Sequence, residues 1–338
     1  VEDEVDVTIG NGSASVVTVP GILEANLSAA ASKVSYSSTV ETGTDENAKK
    51  VIFVDLDDPN QLWDYNEFMQ QIQDTSWHDE LGDPPVHGLM WINEAQTKLI
   101  WWNRETSAIY MEFEAAAQKI LRSNAAVDLH FLDGVLRVAE DTNSWGVIEI
   151  DFLRDRAVSY ITSGPYRHNG DIGDRNDGVH DYVQQADSSL YLKYNTATSV
   201  AACRDPDLTD EFGRPKHWWV AGTGGGQSVY NPSADAIYDT GTGNNLLSDI
   251  SINGTLMQGV ASTNDWWQIR NSIFGVKADS YTYNYYWSAG AQQPWTSSTL
   301  SASAFLPGAS FASEGSDQLW VGSEQGVLVN HLHPTELT

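Results

Sequence analysis

The chain has 338 residues with 18 Lys+Arg against 46 Asp+Glu, a formal charge of −28, one Cys and 13 Trp. Such an acidic surface repels phosphate backbones and argues against general nucleic-acid binding, while one Cys makes neither an internal disulfide nor a thiolate zinc site. No run approaches the roughly 18 apolar residues of a membrane helix, and residues 1–10 lack the basic start of a signal peptide.

The chain starts without Met, which reads as processing or a fragment. Its first forty residues alternate with period two. Val5-Asp6-Val7-Thr8-Ile9 runs into Gly10-Asn11-Gly12, with Val16-Val17-Thr18-Val19 beyond, and two β-rich runs around Asn-Gly predict a hairpin. Residues 35–44 read as an exposed strand. Val51-Ile52-Phe53-Val54-Asp55-Leu56, bounded by Asp57-Asp58-Pro59, predicts a short buried strand. Over residues 60–76, Leu62, Tyr65, Phe68, Met69 and Ile72 recur at helical spacing and predict a helix. Residues 108–113 alternate like a strand, and Ala115-Ala116-Ala117 after them suggests a helical turn.

From about residue 86 the chain repeats a unit: an apolar strand ending in small residues, a polar turn, a second strand. Lys98-Leu99-Ile100-Trp101-Trp102 precedes Ala108-Ile109-Tyr110-Met111; Gly134-Val135-Leu136-Arg137-Val138 precedes Gly146-Val147-Ile148-Glu149-Ile150. His217-Trp218-Trp219-Val220, Gly254-Thr255-Leu256-Met257 and Gln318-Leu319-Trp320-Val321 each start a further unit. The steps from Trp101 to Arg137 and from Trp219 to Leu256 are close to one four-stranded blade, ~40 residues. The step from Arg137 to Trp219 is longer, and residues 163–187, rich in Gly, Asp and Asn with no strand pattern, read as a loop inserted in one blade.

These units resemble the blades of β-propellers, in the broad sense of WD40-like and related repeats, over residues 86–332. The resemblance implies an all-β fold of antiparallel, propeller-like blades, whose stacking covers both faces of each sheet. The His and Trp-Asp signatures of WD40 proteins are missing, so that specific family is not implied. The alternative is a β-sandwich. The expected organisation is a β-rich N-terminal docking segment at 1–56, a helical and loop connector at 57–85, and the repeat domain at 86–338. Five units are recognisable; either early strands such as 51–56 complete the ring, or further blades follow residue 338.

Two constellations stand out as candidate sites. Asp171, Asp174, Asp177 and Asp181 lie in one loop with Gly170, Gly173 and Gly178, and hard oxygen ligands on a Gly-rich loop suit Ca²⁺. Their spacing is not that of an EF-hand, and a solvated acidic loop is the competing reading. The doubled aromatics Trp101-Trp102, Trp218-Trp219 and Trp266-Trp267, with Tyr286-Trp287, are candidate binding residues. Neighbours on a strand face opposite sides, so one of each pair is free to fill the core while the other faces a groove. Packing on both faces is the alternative. His331-Leu332-His333 places two imidazoles on one strand face without a recognisable third ligand. Gly222-Thr223-Gly224-Gly225-Gly226 lacks the Lys-Ser/Thr that grips phosphate and reads as a hairpin turn.

The low charged fraction (19%), polar Ser/Thr/Asn/Gln background and β-only patterning resemble, in style rather than motif, a bacteriophage or viral virion protein. The resemblance implies a tail, fibre or capsid-surface component in the virion or outside the cell. It would be an oligomer rather than an enzyme, with no cofactor beyond the candidate Ca²⁺. Its partners would be other copies of itself, neighbouring virion proteins and a host-surface glycan or receptor, with no nucleic acid and no membrane insertion. The alternatives are a secreted carbohydrate-binding or glycan-degrading propeller and a monomeric cellular interaction propeller.

Overall fold

The computed structural model describes residues 35–36, 46–57, 64–117, 119–123, 125–141, 145–176, 182–185, 187–240, 244–250, 256–261, 266–270, 285–288, 300–307, 317–323 and 326–332. The expected hairpin at residues 5–19 lies outside them. Strands β1 (Ser35–Tyr36), β2 (Glu46–Asp55), β3 (His87–Asn93), β4 (Lys98–Asn103) and β5 (Ala108–Glu114) form the first sheet, in that order. Between β2 and β3 lie two short helices, α1 (Tyr65–Ile72) and α2 (Ser76–Leu81). The second sheet holds β6 (Ala126–Leu132), β7 (Val135–Glu140), β8 (Val147–Asp151), β9 (Arg156–Ile161), β10 (Gly164–His168) and β11 (Tyr182–Gln184). The third holds β12 (Ala197–Thr209), β13 (Pro215–Thr223), β14 (Gly226–Asn231) and β15 (Ala236–Thr240). A fourth contains β16 (Asn244–Ile250), β17 (Leu256–Ala261), β18 (Trp266–Arg270) and β19 (Tyr285–Ser288); the fifth contains β20 (Leu300–Pro307), β21 (Asp317–Ser323) and β22 (Gly326–Leu332).

Every sheet is an antiparallel meander in which chain neighbours are spatial neighbours. The sheets meet in chain order, β2 of the first sheet against β6, and then leading strand against leading strand: β6 against β12, β12 against β16, and β16 against β20. The protein is therefore all-β, built of blade-like sheets stacked side by side, as the repeat pattern predicted. Between Arg137 and Trp219 the described residues hold two extra strands rather than an additional sheet. Residues 163–187 are not strandless, however. β10 and β11 lengthen the second sheet to six strands, with Pro165 paired opposite Tyr160 and Arg167 opposite Val183. Gly164, at φ +118°, makes the sharp entry that a Gly-Pro pair disguises as pure loop.

The helix expected over residues 60–76 resolves into α1 and α2. Asp64 caps α1, accepting from the Glu67 N–H at 2.9 Å while the Glu67 carboxylate takes the Asp64 N–H at 3.3 Å. Phe68 and Ile72 are buried, as is Trp77 of α2, whose Nε1 donates to Phe152 O at 2.9 Å. These residues close a core between the first and second sheets with Met90, Leu99, Trp101, Phe113, Leu136, Ile148 and Phe152. β2 pairs with β3 from Ala48 to Asp55, so the strands on either side of the helices share one sheet. Residues 108–114 are strand, and none of 115–117 is helical.

Candidate functional site

The paired tryptophans follow directly from strand alternation. On β13, Trp219 turns toward the second sheet, where its ring meets Tyr160 at 5.2 Å and stacks on Tyr230 at 5.5 Å and 9°. Trp218 turns the other way, into a cluster with Val229, Ile250 and Leu256, and its Nε1 donates to Asp205 Oδ2 at 2.6 Å. Both are buried, at 0 % and 2 % exposure, which makes them wedges between sheets rather than surfaces for a ligand. Trp101 is likewise fully buried, edge-on to Tyr110 at 5.2 Å and Phe152 at 5.4 Å. Its neighbour Trp102 is half-buried on the opposite face of the first sheet, against Ala48, Trp91 and Ile100. Trp267 and Trp287 are register partners on β18 and β19, and Gln268 pairs with Tyr286. The side chains of Trp266, Trp267, Tyr286 and Trp287 lie outside the described residues.

What the strands bring together instead are charges. Asp133 and Gly134, at φ +46° and +75°, form the two-residue turn between β6 and β7, the backbone shape of a type I′ hairpin. That turn delivers the Asp133 carboxylate to Arg204 of β12, with contacts of 2.8 and 2.6 Å, and to His217 Nε2 of β13 at 3.1 Å. On its other nitrogen, His217 Nδ1 faces both terminal nitrogens of Arg137 at 3.4 Å, and Arg137 reaches Glu149 at 2.8 Å. A guanidinium only donates, so Nδ1 accepts and the proton resides on Nε2, donated to Asp133. Burial pushes His217 below its ordinary value, and the Arg137 cation adds to the shift against the pull of Asp133. His130, the register partner of Arg137, is pushed down to about 3 by burial and then by Arg137. Burial by itself would raise Asp133, but its bonds to Arg204 and His217 hold it well below the usual carboxylate range.

A second cluster joins the same two sheets. Asp151, at the end of β8, takes both Arg214 and Arg154, and Arg214 also reaches Asp210 Oδ2 at 2.8 Å and Asp133 O at 3.1 Å. Next along this turn, Asp155 accepts from the Ser76 N–H and hydroxyl at the start of α2 and from the Ile172 N–H. Asp128 of β6 forms an ion pair with Lys50 of β2 at 2.6 Å and accepts from the Val200 N–H of β12 at 3.0 Å. One carboxylate thus ties strands of three successive sheets. The His217 dyad orients an imidazole as a catalytic dyad does, but the partner on its far side is a guanidinium rather than a hydroxyl or thiol nucleophile. Its chemistry is that of a buried joint.

The described part of the aspartate loop is tied to Ser76 of α2, to Asp155 and to itself. Asp171 Oδ1 accepts the Asp174 N–H at 2.9 Å, a local turn. Asp177 and Asp181 lie outside the described residues, as does His333. Among the described residues there is no group of three or more His, Cys, Asp or Glu arranged to hold a metal ion. The sequence reading passed over Arg137, Glu149, Asp151 and Arg214. Their signal was present as charges set inside apolar strand runs, Leu136-Arg137-Val138 and Ile148-Glu149-Ile150-Asp151.

No protein-family model matches the chain, and no curated protein matches it in sequence. Solved structures resemble it in shape at low scores. The β-propeller domain of Myceliophteria thermophila Cps50 (Swd1) is 12% identical, with 73% of this chain and 83% of that one covered and a TM-score of 0.37. Kuenenia stuttgartiensis hydrazine synthase is 11% identical over 73% of this chain and 63% of its own, at 0.36. U3-55K is 10% identical over 73% and 78%, at 0.38. At these scores the architecture rests on the sheet topology itself: an all-β stack of antiparallel, blade-like sheets.

Proposed function

We propose that the protein is a structural or interaction component of an extracellular particle, most specifically a virion tail, fibre or capsid-surface protein, and that it performs no catalysis. The observation that carries this reading is the use made of its aromatic and ionic side chains. Trp101, Trp218, Trp219, the Asp133–His217–Arg137–Glu149 chain and the Asp151–Arg214 pair all fasten one sheet to the next. Such joints make a stiff body on which loops are displayed. The acidic surface favours solubility and disfavours contact with nucleic acid. The partners in this reading are further copies of the chain, neighbouring particle proteins and a host-surface glycan or receptor.

Light scattering and electron microscopy of the purified chain test the proposal. High-order oligomers or particles are expected. A strict monomer at high concentration that turns over a polysaccharide in a hydrolase screen sinks it; binding on a glycan array without turnover fits the attachment role.

A further inference from the structure

The strands along which the sheets meet, β2, β6, β12, β16 and β20, share one irregularity. Each slips register by one residue near its start, against the next strand of its own sheet. Ala48 pairs with Asn93 and Lys50 with Ile92, so Lys49 is skipped. In the same way Val127 is skipped between Ala126 and Asp128, and Thr198 between Ala197 and Ser199. Leu246 is skipped between Asn245 and Leu247, and Ser301 between Leu300 and Ala302. One extra residue on one strand of a pair is a β-bulge, which bends the strand and re-aims a neighbouring side chain.

In the first three sheets the residue after the bulge reaches the next sheet. Lys50 Nζ lies 2.6 Å from Asp128 Oδ1. Asp128 Oδ2 accepts the Val200 N–H at 3.0 Å, and the Ser199 hydroxyl accepts the Ser248 N–H at 2.7 Å. The two N–H groups are equivalent, since Val200 and Ser248 each follow the post-bulge residue of their own strand, Ser199 and Leu247. Ser199 and Ser248 are buried, and Gln227 Nε2 donates to the Ser248 hydroxyl at 3.1 Å. Gly222 is the register partner of Ser199; a Cβ there would lie 2.6 Å from the Ser199 Oγ, so the space for that hydroxyl requires a residue without a side chain. On β16 and β20 the post-bulge residues are Leu247 and Ala302, whose side chains carry no hydrogen-bonding atom.

We propose that the post-bulge side chain locks each sheet to the next, and that the series Lys50, Asp128, Ser199 binds the first four sheets into one body from which the fifth detaches as a unit. The lock works because parting two locked sheets breaks a hydrogen bond made at the junction itself, and a partial opening that leaves the buried N–H without its acceptor is penalised further. Leucine at the fourth position of the series cannot accept, so the joint between the fourth and fifth sheets is closed without this bond. Cooperative units of unequal stability within one native fold open independently, and the last lock marks the boundary between two of them. Opening there uncovers β16 while the rest of the stack stays folded. The inference rests on register and hydrogen bonds and is independent of the attachment role proposed above.

Native-state hydrogen exchange on the full chain at low denaturant tests the lock, with rates corrected for the intrinsic exchange of each amide. In the wild type the ladder amides of β21 should exchange about tenfold or more faster than those of β13 and β17, which should open together. Ser199→Ala leaves the Ser248 N–H without its acceptor and should move the boundary back by one joint. The β17 amides should then accelerate about fivefold or more relative to those of β13, toward the rate of β21, while β7 and β13 keep their mutual order. Equal protection of β21 and β13 in the wild type overturns the proposal. So does a Ser199→Ala chain in which β17 still opens with β13. Should Ser199→Ala fail to fold, the wild-type order of β21, β17 and β13 decides alone, and β17 opening with β21 rather than with β13 then overturns the proposal too.

Discussion

At the scale of single residues, His217 carries the sharpest expectation. Because Arg137 occupies its Nδ1 side, nitrogen-detected NMR should show the Nε2–H tautomer at neutral pH and no protonation near the ordinary histidine value. His130 should remain neutral down to about pH 3. Both folded values lie below the unfolded one, so below about pH 6.5 the unfolded chain binds protons that the native chain refuses. Stability is therefore lost as pH falls through that window, at about 1.4 kcal/mol per pH unit for each fully responding group. Glu140 has the opposite sign, its contribution fading between about pH 4.5 and 7 as pH rises. A chemical-denaturation series across pH 4–8 on wild type and Glu140→Gln separates the two slopes. In the same neighbourhood, Arg137→Leu leaves Glu149 as a buried, unpaired carboxylate and should cost about 3–5 kcal/mol. The double variant Arg137→Leu/Glu149→Leu should recover most of that in urea unfolding.

Elements show where local sequence suffices and where it does not. Trp219→Ala removes the wedge between the second and third sheets and should cost about 3–5 kcal/mol, read as a shift in the urea midpoint. Gly88→Ala tests a closer fit: a Cβ there would meet Trp101 Nε1 at 2.6 Å and the Trp102 carbonyl at 2.9 Å, so about 1–3 kcal/mol of overpacking is expected. The strands themselves were legible because residues such as Leu99, Trp101, Val138 and Ile148 alternate along runs bounded by turn residues. α1 was legible from Phe68, Met69 and Ile72 at helical spacing. β10 and β11 were hidden because Pro165, Arg167 and Gln184 carry little strand propensity and are recruited by an existing edge. The tryptophan pairs were legible as alternating, but which face is filled depends on the neighbouring sheet, which no local window contains. The charged joints are non-local for the same reason: Asp133 and His217 are 84 residues apart in sequence.

The molecule as a whole carries a charge of −28, which pushes its parts apart at low ionic strength. Raising salt from 0.01 to 0.15 M shortens the screening length from about 30 to about 8 Å. The melting temperature should rise over that range, and calorimetry checks it; a fall would mean that exposed ion pairs outweigh the net repulsion. That the meandering sheets of the described residues meet in chain order has a further consequence for how the protein is made. Each sheet is complete within one uninterrupted stretch, and its leading strand needs only the sheet already synthesised before it. At about 5–20 residues per second, the first two sheets and their helical cover would emerge from the ribosome and close their shared core while the fifth was still untranslated. The biosynthetic order and the order of packing are then the same, so the nascent chain would meet each new strand with a finished template rather than a loose partner.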